Sequence, residues 1–261
     1  MKNMKDNRTG ETAITKQGCL AKIIEYNNYS DILVEFQDAY KYKVRASYKE
    51  FKNGSIKNWY YPSVCGVGIV GERYKDYITS NKRKLPEYKM WSSMLSRCFD
   101  KKYKEKEPAY EDVTCCEEWL LFENFYEWFH KQDNFDKCFY DEDYAIDKDI
   151  LFKGNKIYSP ETCCLVPRII NSLFIKRARD RGEFPIGVTA HKEKYRARCD
   201  NPLLNTRVHI GLFATPELAF EAYKIYKERL IKQVAQIEYN NSNITKECYD
   251  AMMDYEVEIT D

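Results

Sequence analysis

Three consecutive charged residues, Asp147, Lys148 and Asp149, stand where the short apolar run Ala145-Ile146 ends. A positioned carboxylate can take a proton, and an ammonium can sit on a phosphate as a point charge. These residue types in this order suit work on a phosphate ester. Gly154-Asn155 then supplies a turn, Tyr158 to Pro160 closes it, and a helix can open at Pro167, where a missing N–H costs nothing. That helix carries Asn171 with the apolar pair Leu173 and Phe174. The pattern predicts strand, loop, second short strand and helix, a compact ββα unit. Such a unit holds a strand-end side chain and a helix side chain against one phosphate.

The elements that must position these residues carry a resemblance. Asp147-Lys148, Gly154-Asn155, the run Tyr158-Ser159-Pro160-Glu161-Thr162-Cys163 and Asn171 follow one another at a spacing that resembles the HNH (His-Me finger) endonucleases of the phage type. Upstream, Trp91, Met94-Leu95 and Arg97-Cys98, then Cys116, Glu118-Trp119, Phe122 and Asn124-Phe125, are similar to the two helices that precede the ββα unit in that family. The resemblance implies metal-dependent cleavage or nicking of duplex DNA, with Mg²⁺ or Mn²⁺ held by Asp147 and Asn171. It implies a His after the Asp as general base, and here the sequence departs: the position is Lys148. A Lys is charged at neutral pH unless burial lowers its pKa. Lys148 then stands as base with a lowered pKa or as a cation orienting phosphate. Asp149 stands as a further ligand or as the substitute base for water, and Asn155 shapes the loop.

Hydrophobic periodicity marks the framework around this unit. Residues 1–12 are polar and read as a disordered arm. Residues 13–70 read as a small antiparallel β module: Cys19 to Tyr26, Asp31 to Phe36 and Tyr42 to Ala46 are strand patterns, and Asn27 to Ser30 suits a hairpin turn. Its expected role is contact with DNA or with a host protein, or none of its own. The glycine-rich Pro62 to Gly71 lacks the Lys-Ser/Thr ending of a phosphate loop and reads as a connector. Residues 71–183 form the expected helical and ββα core. Tyr88, Trp91, Leu95 and Cys98 make one helical stripe, and Phe122, Phe125, Tyr126 and Phe129 make another. Lys176, Arg177 and Arg179 follow the core as a basic stretch suited to a phosphate backbone or to a solvated helix face.

Residues 184–236 carry a second resemblance. Pro185-Ile186-Gly187-Val188, Tyr195-Arg196-Ala197-Arg198 and His209-Ile210-Gly211-Leu212-Phe213 read as three strands. Thr215-Pro216-Glu217 opens a helix with N-cap, first-position Pro and an acid in the first turn. Ala219, Ala222, Tyr223, Tyr226 and Leu230 form its stripe. This pattern is similar to the plant-type AP-two/ERF DNA-binding domain. The resemblance implies that the sheet face without a helix enters the major groove. His191, Lys194, Arg196, Arg198 and Arg207 are the residues expected on it; a bidentate Arg reads guanine. Asp200 to Thr206 reads as an insertion longer than a tight turn. Residues 237–261 turn acidic and read as a tail with one short helix.

Composition limits the alternatives. The net charge is +1 over 261 residues, so partners must be read from its distribution. No apolar run predicts a membrane span, and the polar start shows no secretory signal pattern. A cytoplasmic setting in a bacterial host follows from the resemblance. The ten cysteines include the adjacent pairs Cys115-Cys116 and Cys163-Cys164 but no Cys-x-x-Cys, so buried thiols and no zinc are expected. The sequence predicts an α+β, multi-module protein. Three functions fit it: a metal-dependent DNA endonuclease or nickase, a DNA-binding regulator with a degenerate nuclease core, and a protein-binding antagonist of a host enzyme.

Overall fold

The computed structural model describes residues 7–80, 85–140, 144–175 and 183–259. The fold is mixed α+β with several small, separate sheets. Among the described residues, no helix is long and apolar enough to cross a membrane. Two compact units divide the chain: Met1–Glu111 with Glu117–Tyr126, and Asp112–Cys116 with Glu127–Asp261.

The first unit opens with β1 (Thr12–Ile14), β2 (Leu20–Asn28), β3 (Asp31–Phe36) and β4 (Lys43–Ala46), an antiparallel sheet in sequence order. Period-two alternation builds its core: Ile32, Val34 and Phe36 are fully buried with Ala21 and Ile23. Ser47 caps helix α1 (Tyr48–Lys52) in a reciprocal box with Glu50. Residues 7–12, expected within a disordered arm, are tied down. Gly10 N–H donates to the Ile23 carbonyl at 2.8 Å, and the Arg8 guanidinium donates to the Tyr48 hydroxyl at 2.7 Å. Helices α2 (Lys75–Ser80), α3 (Pro86–Phe99) and α4 (Lys101–Lys106) follow. The α3 stripe buries Trp91, Met94, Leu95 and Cys98, and Trp91 Nε1 donates to the Trp119 carbonyl at 2.7 Å. Gly68 belongs to this packing: a Cβ there would lie 2.4 Å from Leu95 Cδ1, so the glycine-rich stretch serves close approach to α3.

In the second unit, β5 (Thr114–Cys115) pairs in parallel with a later strand; α5 (Phe122–His130), which belongs to this unit from Glu127 on, and α6 (Lys137–Tyr140) precede the ββα element. That element is β6 (Tyr144–Asp147), a loop containing β7 (Ile157–Tyr158), β8 (Cys164–Pro167) and α7 (Arg168–Leu173). β6 and β8 are antiparallel, with Asp147 opposite Cys164. Pro167 ends the strand and caps the helix. The second sheet holds β9 (Val188–His191), β10 (Lys194–Asn201) and β11 (Thr206–Phe213), in the order β11-β10-β9. Helix α8 (Pro216–Asn240) packs on it, and α9 (Lys246–Met253) follows.

Three sequence expectations shift. The first strand of this sheet begins at Val188, not Pro185: Pro185 to Val188 is a turn closed by Val188 N–H on the Pro185 carbonyl. Gly187 sits in it at φ +78°, and a Cβ there would lie 2.1 Å from the Tyr223 ring. The expected insertion at Asp200 to Thr206 is the end of a hairpin: β10 and β11 pair out to Asn201 opposite Thr206, and Pro202 to Asn205 make the turn. The Asn201 side chain accepts from the N–H groups of Leu203 and Leu204 and closes the hairpin. Finally, residues 237–259 are not a solvated tail. α8 continues through Asn240, and Ile244, Cys248, Met252 and Val257 are buried in one core with Val166, Ile170, Val188, Ala197 and Val234. Apart from the buried Glu238, the acids fall on the outer positions of an amphipathic run, which is why composition suggested a tail. The same core runs through the ββα element and the second sheet, across the boundary expected at residue 183.

Candidate functional site

At the end of β6 the chain must turn, and Asp147 makes the turn. Its Oδ1 accepts from the N–H of Asp149 at 2.7 Å and of Ile150 at 2.9 Å. Asp147 is 9% exposed, and burial raises its carboxyl above the ordinary value despite those two donors. Its Oδ2 makes no hydrogen bond among the described residues.

Lys148 points the other way along the strand end and is 7% exposed. Its ammonium donates to both oxygens of Asp149, at 2.8 and 2.7 Å, and to the Asn155 carbonyl at 3.0 Å. Those three bonds use its whole donor capacity. Asp149 is the exposed partner, its side chain 48% accessible. Asn155 shapes the loop as its sequence position suggested: Nδ2 donates to the carbonyls of Lys148 and Ile157, at 2.9 and 2.7 Å. Gly154 holds φ +80° in the turn closed by Asn155 N–H on the Phe152 carbonyl. The Ser159 to Cys163 run is a second closed turn. Cys163 N–H donates to the Ser159 carbonyl, and the Ser159 hydroxyl donates to Glu161 at 2.7 Å.

Asn171 lies on α7, which packs on β6 and β8. It is half-buried, and its side chain makes no hydrogen bond among the described residues. The sequence thus brings Asp147, Lys148, Asp149 and Asn171 into one ββα element. Among the described residues, no group of three or more His, Cys, Asp or Glu side chains is arranged to hold a metal. The oxygens on offer are Asp147 Oδ2 and the Asn171 amide. Hard oxygen donors of this kind fit Mg²⁺, which keeps several waters and takes its other ligands from substrate phosphate.

The second sheet gathers the remaining predicted residues. Tyr195, Ala197, Cys199 and Asn201 alternate toward α8, and Asn201 Nδ2 donates to the Tyr226 hydroxyl at 2.8 Å. The opposite face carries Lys194, Arg196, Arg198 and Asp200 from β10, His191 from β9 and Arg207 from β11, by pair register. Lys194 and Arg207 are exposed; Arg196, Arg198 and His191 are half-buried. Arg196 Nη2 donates to His191 Nδ1. Arg207 is held by Asp200 through two bonds, Nε to Oδ1 at 2.5 Å and Nη2 to Oδ2 at 3.0 Å. Arg198 makes no ion pair or hydrogen bond through its side chain among the described residues. Lys176, Arg177 and Arg179 lie outside the described residues.

Two members of this region escaped the sequence reading. His209, opposite Arg198, shares the open face; the bulge between Ala197 and Arg198 sets that register, and no local pattern announces it. Lys227 sits on α8 within the buried stripe and is only 8% exposed. Its signal was available: a Lys four residues after Tyr223 and three before Leu230 falls on the apolar face. All ten cysteines are free thiols, and burial pushes Cys163 up to about 12. No protein-family model matches the chain, and neither a curated protein nor a solved structure matches it significantly.

Proposed function

We propose that this chain binds duplex DNA through the open face of the second sheet. One observation carries the reading. His191, Lys194, Arg196, Arg198 and Arg207 stand on the face of β9, β10 and β11 turned away from α8. A twisted sheet face of this width fits a major groove, with Lys contacting phosphate and Arg contacting phosphate or guanine. Arg198, unpaired among the described residues, is the side chain most ready for a guanine edge. Within the ββα element, Lys148 acts as a fixed cation that closes the loop, since its three N–H groups are engaged. This favours a DNA-binding protein whose nuclease-like core grips more than it cuts.

A second reading, metal-dependent nicking, is favoured by the free Asp147 Oδ2 and the free Asn171 amide. These two would hold Mg²⁺ or Mn²⁺, which when bound supplies charge stabilisation at a scissile phosphate. Asp149, partly exposed beside Lys148, would take the proton from water.

Two assays test the readings. Duplex binding across a salt series should weaken in Arg196→Ala/Arg198→Ala, with the slope of log K against log salt reduced by roughly one unit per lost phosphate contact. Unchanged affinity and slope remove the sheet face as the binding surface. Supercoiled plasmid with Mg²⁺ or Mn²⁺ distinguishes the second reading: it requires nicking that Asp147→Ala abolishes.

A further inference from the structure

The second unit contains a cleft of about 590 Å³. Its walls are the end of α7, the entry to β9, the second half of β10, the start of β11 and the middle of α8. β10 outlasts β9 here: β9 pairs with it only from Lys194 to Ala197, while β11 follows it to Asn201. That difference in strand length leaves the space open.

Lys227 lies on this wall and is 8% exposed, yet its ammonium makes no hydrogen bond or ion pair with any described residue. Lys227 shares the cleft lining with Cys199 and Asp200. Burial lowers its pKa below the ordinary value, as expected for an ammonium without a counter-ion. A buried charge is normally paired. Asp200 makes no hydrogen bond or ion pair with Lys227; its two oxygens accept from Arg207. Arg198 borders the cleft along β10, but its side chain belongs to the face turned away from α8. Leu173, Ile186, Val188 and Tyr223 supply the uncharged wall.

We propose that this cleft binds an organic phosphate monoester, with the phosphate seated on Lys227 and the uncharged body lying along Tyr223 and the apolar wall. An ammonium without a counter-ion within the chain suits a phosphate as a point charge. The volume falls within the range of small-molecule sites, roughly 300–1,000 Å³, and exceeds what an inorganic anion needs. A free nucleotide and the 5′-phosphorylated end of a nucleic-acid strand share this chemistry. The proposal is independent of duplex binding, since Lys227 is on the helix that covers the other side of the sheet.

Calorimetric titration of the full chain tests it with four probes: deoxyadenosine 5′-monophosphate, deoxyadenosine, and one short single strand with and without a 5′-phosphate. Binding is expected only for probes carrying the phosphate. Binding of the mononucleotide identifies the free ligand as sufficient, and binding of the phosphorylated strand alone identifies a strand end; either supports the proposal. Lys227→Met should weaken that binding about tenfold or more, while Lys227→Arg should stay within about threefold. A thermal melt of Lys227→Met checks its fold, and Lys227→Gln supplies the same comparison if that variant does not fold. No phosphate-dependent binding at millimolar probe, or equal binding by the charge-removing variant that folds, overturns the proposal.

Discussion

Lys148 and Asn155 hold each other reciprocally: the Lys148 ammonium donates to the Asn155 carbonyl at 3.0 Å, and Asn155 Nδ2 donates to the Lys148 carbonyl at 2.9 Å. Each side chain thus satisfies the other's backbone across the first half of the loop. Lys148 is buried while its ion-pair partner Asp149 is exposed, so the ion pair itself contributes little and the buried bond contributes more. Lys148→Met keeps the stem and removes the donors. It should cost about 1–3 kcal/mol in urea unfolding, through an unsatisfied carbonyl and a loosened loop. Asp149→Ala should cost less than about 1 kcal/mol. Equal losses in the two variants would contradict the assignment of the stability to the loop bond.

Asp147 gives a pH dependence with a defined sign. Burial raises its folded pKa above the ordinary 3.8. Between 3.8 and the raised value the folded state binds more protons than the unfolded state. The stability contributed by this group is therefore fully present below the unfolded pKa and is lost as pH rises through the folded one. Asp147→Asn keeps an oxygen that accepts from Asp149 and Ile150 N–H and removes the charge. Relative to wild type, it should gain stability at pH 7, and the gain should disappear as the pH approaches 3.8. Asp147→Ala lacks the acceptor and should lie about 1–2 kcal/mol below Asp147→Asn at both pH values. Urea unfolding of the three proteins across pH 3.5 to about 7 checks both signs.

On the open sheet face, charge pairing ranks the arginines. Arg207 is engaged by Asp200 through two bonds, and Arg198 is not. Duplex DNA must compete with Asp200 for Arg207 and need not compete for Arg198. Arg198→Ala should weaken duplex binding more than Arg207→Ala, by about 1–2 kcal/mol more at moderate salt. Asp200→Asn should strengthen binding by releasing Arg207 and removing a like charge from the phosphates. Weaker binding by Asp200→Asn would place the DNA elsewhere.

The contrast between β3 and β9 explains what the sequence made legible. Ile32, Val34 and Phe36 alternate without interruption, and β3 spans the expected Asp31–Phe36. Thr215, Pro216 and Glu217 likewise mark the start of α8, where Thr215 accepts from Leu218 N–H. β9 was displaced because Pro185-Ile186-Gly187 also reads as strand, and only the approach of Tyr223 requires the turn at Gly187. That contact links residues 36 positions apart and leaves no local trace. The acidic end was misread for a related reason. Ile244, Cys248, Met252 and Val257 are four or five positions apart, a sparse stripe that charged neighbours dilute in any compositional window. In the site, Asp147 and Asn171 were legible as members of one ββα element. The engagement of Lys148 was not, because it depends on the path of the loop back to Asn155.

Lys227 carries the last prediction. Its folded pKa lies below the ordinary 10.5 because its ammonium is buried, while Cys199 and Asp200 on β10 act in the opposite direction. Arg198 from β10, Arg207 from β11 and Tyr223 from α8 complete its ionisable surroundings on the cleft wall. Between the lowered value and 10.5 the unfolded state binds more protons than the folded one, so stability rises with pH through that window. Below it the full cost of the buried charge is present. Lys227→Met should therefore be more stable than wild type at neutral pH, on the order of 1 kcal/mol, with the difference shrinking toward pH 10.5. Other lysines and tyrosines titrate in the same range, but they titrate in both proteins and cancel in the difference. A bound phosphate monoester reverses the balance by giving the ammonium its counter-ion. The probe nucleotide should raise the melting temperature of wild type and leave that of Lys227→Met unmoved. A wild type already more stable than the variant at neutral pH, without added ligand, would mean that the ammonium has found a partner within the chain.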